Sequence, residues 1–101
     1  MKDTIRRLVA GKRVLLLGFG REGKSTLRLL QTVGGYADIT VADKNAVDPG
    51  EGVLRICGEP YQQTMDDYDV VFKSPGIVLE RPYSSYRCLI TSQAELFLSV
   101  Y

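Results

Sequence analysis

Residues Arg13 to Ser25 read RVLLLGFGREGKS, and this stretch restricts the possible folds more than any other. An unbroken apolar run closed by glycine is the pattern of a strand buried on both faces, which belongs to parallel sheets covered by helices. After the turn, Leu27, Leu30 and Val33 recur at helical spacing until Gly34-Gly35, a helix stop signal. Strand, glycine turn and helix make the first half of a βαβ unit, whose crossover is right-handed.

The rest of the chain repeats the alternation. Ile5, Leu8 and Val9 lie on one face of a short N-terminal helix interrupted at Gly11. Asp38 to Asp43 (DITVAD) predicts a second strand, Val53 to Cys57 a weaker third, Asp69 to Lys73 (DVVFK) a fourth and Cys88 to Thr91 a fifth. Asn45 to Gly52, with its Asn, Asp, Pro and Gly, is a loop. Ser92 and Glu95 form a capping-box pair that opens a last helix ahead of Leu96 and Phe97. The expected fold is α/β: a Rossmann-like, doubly wound parallel sheet of five strands in the order 3-2-1-4-5. The connections after the second and fourth strands are short and irregular, so the helical signal there is weaker. A length of 101 residues fits one domain, 1–101. The last helix runs into the C-terminus without a stop signal, which reads as a fragment of a longer protein.

Composition removes several function classes. Lys plus Arg is 13 against 12 for Asp plus Glu, so no field favours nucleic acid or an anionic membrane as a partner. No apolar run approaches the ~20 residues that span a bilayer, and MKDTIRRLVAGKR has no export-signal core. Cys57 and Cys88 match no metal spacing and read as small buried apolar groups in a reduced, cytoplasmic setting. The chain has no histidine, which removes His-based acid–base chemistry and the commonest zinc ligand. Binding, rather than catalysis, is the expected task.

The loop GFGREGKS satisfies two phosphate-binding patterns at once. Gly18, Gly20 and Gly23 fit G-x-G-x-x-G, while Gly18, Gly23, Lys24 and Ser25 fit the NTPase phosphate loop. Both patterns aim backbone N–H groups and a helix N-terminus at phosphate oxygens, so diphosphate binding is the inference they share. Asp43 closes the second strand twenty residues beyond Gly23, where a dinucleotide fold places an acid near the sugar–base end of its ligand. An NTPase also wants an acid at the end of an apolar strand to hold Mg²⁺. The fourth strand ends in Lys73-Ser74 instead, with Asp69 at its other end. Lys24 is within reach of a phosphate, but a lysine in the first turn of a helix is more often simply solvated. In the expected strand order the glycine loop faces Ser74-Pro75-Gly76, whose Gly76 N–H and Ser74 hydroxyl suit an anion. On residues alone, a plain tight turn, an NAD-binding dehydrogenase domain, a nucleotide-sensing regulatory module and a small NTPase all stay open.

Four segments together, GKRVLLLGFGREGKST, DITVADKN, DVVFKSPGIVLE and LITSQAELF, resemble the N-terminal domain of the Mur ligase family. Within it they are most similar to the ligases that add D-glutamate to UDP-N-acetylmuramoyl-L-alanine in peptidoglycan synthesis. The resemblance runs from about Gly11 to Phe97. It implies that Gly20, Arg21, Glu22 and Gly23 hold the diphosphate of the UDP substrate. It implies that Asp43, Lys44 and Asn45 contact uracil and its ribose, and that Ser74, Pro75 and Gly76 help hold the diphosphate and sugar. The family's central ATP-binding domain and its C-terminal D-glutamate domain would be partners in the same longer chain. ATP and Mg²⁺ would act there, with no cofactor and no catalytic residue in this fragment. Val78 to Ile90 is shorter than the family pattern, and the helix before the fifth strand is expected to shrink to a turn around Pro82 to Tyr86.

Overall fold

The computed structural model describes residues 2–93 and residue 95. Leu96 and Phe97, placed by sequence in the last helix, lie outside the described residues. Five parallel strands form one sheet in the order β3-β2-β1-β4-β5, as expected. They are β1 (Arg13–Leu17), β2 (Asp38–Asp43), β3 (Leu54–Cys57), β4 (Val70–Lys73) and β5 (Leu89–Thr91). Helix α1 (Lys2–Val9) precedes β1, and α2 (Arg21–Val33) joins β1 to β2. Strand order reverses at β1, whose two neighbours are β2 and β4.

The alternation of side chains along β1 divides the core into two layers. Val14 and Leu16 join Ile5, Val9, Leu27, Leu30, Ile39, Val41 and Phe72 beneath α1 and α2. Leu15 and Leu17 point the other way, onto Ala42, Met65, Tyr68, Val71 and Cys88. This second face carries no α-helix among the described residues. It is covered by 3-10 turns at Glu59–Gln62, Met65–Asp67 and Tyr83–Ser85 and by the chain between them. The turn at Tyr83–Ser85 sits where the sequence predicted a reduced helix.

Strand ends differ from expectation by single residues, for visible reasons. Gly18 leaves β1 because its φ is +95°, although its N–H still donates to Ala42 O at 2.7 Å. Asp69 and Val53 fall just outside β4 and β3, and Cys88 just outside β5. Helix α2 starts at Arg21 and stops, as expected, at Gly34, whose φ is +65° and whose N–H bonds Leu30 O. Cys88 is buried as expected, but Cys57 is only half-buried, because β3 is an edge strand with one side unpaired. At the N-terminal end of the sheet, Arg13 ties three strands together: Nε donates to Asp38 at 3.2 Å, an Nη to Asp67 O, and the backbone N–H to Asp69 Oδ2. Among the described residues no helix is long and apolar enough to cross a membrane.

Candidate functional site

The site is built at the C-terminal end of β1, where the strand order reverses and a crevice is unavoidable. Gly18 is required there twice over. Its φ of +95° is a region that disfavours side chains. A Cβ at Gly18 would also sit 2.6 Å from Ile77 Cδ1 and 2.8 Å from Ser74 Oγ. Gly23 is required by contact alone, since a Cβ there would overlap the carbonyl oxygen of Gly18. The first turn of α2 therefore packs directly onto the end of β1.

Gly20 plays a different part. It is the N-cap of α2; among the described residues no side chain caps this end, and no atom beyond its chain neighbours comes within 4 Å of where its Cβ would be. The first helical bond runs from Lys24 N–H to Gly20 O at 3.0 Å, so the earlier N–H groups of the helix are left for another acceptor. A serine or aspartate at this cap would fill that role from within. Glycine leaves the helix end open to an external anion.

Asp43 and Ser74 hold the two sides of the crevice to the glycine loop. Asp43 Oδ2 accepts the Phe19 N–H at 2.7 Å, and Oδ1 accepts the Asn45 N–H at 2.8 Å. One carboxylate thus joins the glycine loop to the Lys44-Asn45 turn. A carboxylate offers about four lone-pair sites, so each oxygen keeps one for a ligand. Across the crevice, Ser74 Oγ donates to Gly18 O at 3.4 Å, a long bond that a stronger acceptor would displace. The cleft between these walls has a volume of about 380 Å³. It is lined by Gly18, Phe19, Gly20, Arg21, Glu22, Asp43, Lys44, Asn45, Tyr61, Ser74, Pro75 and Ile77. Arg21 and Lys44 are exposed, so both cations are free to face an anion there.

No family model matches the chain. Curated relatives do match it. A UDP-N-acetylmuramoylalanine–D-glutamate ligase of Ligilactobacillus salivarius is 34% identical over 83 residues, which cover 74% of this chain and 17% of the relative. The ligase of the same name from Limosilactobacillus fermentum is 36% identical over 81 residues, 71% of this chain and 17% of the relative. That of Clostridium botulinum is 30% identical over 100 residues, 86% of this chain and 21% of the relative. This chain is a homologue of the N-terminal domain of these ligases. It spans about a fifth of the length of the relatives it matches.

Most positions that the sequence singled out in this ligase homologue come together in the one cleft. Gly18, Gly20, Arg21, Glu22, Asp43, Lys44, Asn45, Ser74 and Pro75 all line it. Gly23 lies behind the loop, where it sets the packing of α2. Gly76 is exposed beyond the Ser74 turn, which is closed by Ile77 N–H to Ser74 O. Lys24 is exposed, outside the lining, with Nζ 6.0 Å from the Phe19 ring centroid. Asp69 binds the Arg13 N–H at the opposite end of β4 from Ser74, so it is no Mg²⁺ ligand for this loop.

Phe19, Tyr61 and Ile77 also line the cleft and were not singled out from sequence. Phe19 and Ile77 flank predicted motifs and could have been added as neighbours. Tyr61 lies in a 3-10 turn after β3, and no spacing rule brings that turn beside the glycine loop.

Proposed function

We propose that this chain holds the UDP end of UDP-N-acetylmuramoyl-L-alanine while other domains of a longer enzyme add D-glutamate to it. The observation that carries this is the cleft in which a helix N-terminus with no side-chain cap among the described residues, two exposed cations and a carboxylate with spare lone pairs come together. Gly20 to Gly23 would take the diphosphate through backbone N–H groups, with Arg21 and Lys44 offsetting its charge. Asp43 would accept the N3–H of uracil, and Lys44 and Asn45 would face the ribose. Ser74, Pro75 and Gly76 would border the diphosphate and the first sugar.

The chemistry itself lies elsewhere in this reading. ATP would supply the phosphoryl group that activates the alanyl carboxylate, with Mg²⁺ to balance charge. In this reading Mg²⁺ would act with ATP outside this chain: the spare lone pairs of Asp43 are assigned to uracil, and Asp69 is at the far end of β4 from the loop. This chain would contribute binding energy remote from the reacting carboxylate, which positions it for attack. Calorimetric titration with UDP, NADH and ATP tests the assignment. UDP is expected to bind and the other two to bind more weakly. Preference for NADH would point to a dehydrogenase-type domain, and preference for ATP to an NTPase loop.

A further inference from the structure

We infer that Tyr61 and Ile77 form an apolar clamp for the pyrimidine ring of the ligand, set in place by Gln62. This rests on the UDP assignment above and adds to it the contact that binds the face of the base.

The polar groups of the cleft can meet only the edges of a base. Asp43, Lys44 and Asn45 offer hydrogen bonds, which lie in the ring plane. The two faces of a heterocycle need apolar or aromatic surface instead. Tyr61 and Ile77 supply it: both line the cleft, both are half-buried, and both rest against the second core layer. They come from different segments, one after β3 and the other after β4.

Gln62 holds these segments together. It is 5% exposed although it is a polar residue. Its Nε2 donates to Tyr61 Oη at 2.9 Å and to Val78 O at 3.0 Å, and its Oε1 accepts the Glu80 N–H at 3.1 Å. One buried amide therefore fixes the tip of the Tyr61 ring and the backbone beside Ile77. The bond to Tyr61 Oη uses the hydroxyl as an acceptor and fixes the far end of the ring, whose apolar surface is what the clamp uses. A clamp fixed before the ligand arrives loses little entropy on binding. Stacking is tolerant of base identity because every base has a π-face. Tyr61 would thus add affinity for any pyrimidine nucleotide, and the choice between uracil and cytosine would stay with Asp43.

The test uses the 101-residue chain with UDP and CDP as probes. Tyr61→Phe is expected to weaken both only a few-fold, because the ring remains while the Gln62 bond that fixes it is lost. Tyr61→Leu should weaken both about tenfold and leave their ratio unchanged. The uracil H5 and H6 proton resonances should move upfield on binding to wild type and Tyr61→Phe, but not to Tyr61→Leu. This ring-current shift is a signature that a purely structural tyrosine would not produce. Unchanged UDP affinity in Tyr61→Leu, or wild-type binding without an upfield shift, overturns the clamp while leaving the UDP site standing. Failure of wild type to bind UDP at all removes the site and the clamp together. Should Tyr61→Leu not fold, Phe19→Leu decides: an upfield shift kept in that variant comes from Tyr61 and supports the clamp, and a shift lost there comes from Phe19 and overturns it.

Discussion

Gly23 and Lys24 are adjacent in the loop, yet the structure gives them opposite weights. A Cβ at Gly23 would collide with the Gly18 carbonyl, so even Gly23→Ala must push α2 away from the end of β1. We expect it to lower UDP affinity more than tenfold and to reduce the melting temperature. Lys24 is exposed and points toward Phe19, so Lys24→Ala removes only a screened charge and should change affinity less than about threefold. The reverse ranking would mean that the loop works as an NTPase phosphate clamp. Asp43 has two tasks that one experiment can separate. As a uracil acceptor it should make wild type prefer UDP to CDP by about tenfold, since cytosine presents a lone pair at N3 where uracil has a donor. As an anchor it holds the Phe19 and Asn45 N–H groups, so Asp43→Ala should both narrow the UDP–CDP gap and lower the melting temperature. Equal wild-type affinity for UDP and CDP would leave Asp43 as an anchor only.

The connection from β4 to β5 contains no α-helix among the described residues, and charge holds it to the rest of the fold. Asp66 Oδ1 accepts the Arg87 N–H at 2.8 Å, and Oδ2 pairs with Arg81 at 3.0 Å. Arg81 in turn lies 4.2 Å over the Tyr86 ring. The Arg87 N–H and then Arg81 hold the Asp66 carboxyl below its ordinary pKa. A depressed folded-state pKa contributes stability above the unfolded value, and that stability is lost as pH falls through the folded one. We expect the melting temperature to drop on acidification below about pH 4, and Asp66→Asn to flatten part of that drop. An unchanged slope would show that other carboxylates carry the acid sensitivity. This segment also marks where the sequence stopped being legible. The strands were visible as apolar runs, and α2 as Leu27, Leu30 and Val33 between glycines, because burial on regular elements imposes a period. Residues 58–69 and 74–88 have no period. Gln62 is buried through partners that are 16 and 18 residues away, so nothing local announces it. The glycine loop, Asp43 and Ser74-Pro75 were legible because backbone geometry dictates glycine at a close approach and strand order dictates which turns meet. The aromatic wall was not, since Tyr61 reaches the cleft through tertiary packing alone.

As a whole, the molecule is a sheet with its cleft at the C-terminal end of its central strand and a length about a fifth of its relatives'. The open side of the cleft bears on what the isolated chain should bind. In the proposed reading every group assigned to a ligand would contact uracil, ribose or diphosphate, apart from the Ser74 turn at the border of the sugar. The muramoyl and alanyl parts of the substrate would, in the same reading, extend past that turn, beyond the groups assigned here to a ligand. They should therefore add little affinity here. We expect UDP and UDP-N-acetylmuramoyl-L-alanine to bind the isolated chain within about threefold of each other, a difference of roughly 0.7 kcal/mol. Neither is expected to provoke phosphate release from ATP. In an enzyme that uses remote binding to position a reacting carboxylate, the same two ligands should differ far more once all domains are present, because the contacts to the distal half are then made. Calorimetry of both ligands on the isolated chain is the measurement. If the muramoyl ligand binds more than about thirtyfold tighter than UDP, roughly 2 kcal/mol, the sugar and peptide contacts lie within these 101 residues. In that case the surface beyond Ser74, around Lys73, Tyr83 and Thr91, would have to be the place that makes them.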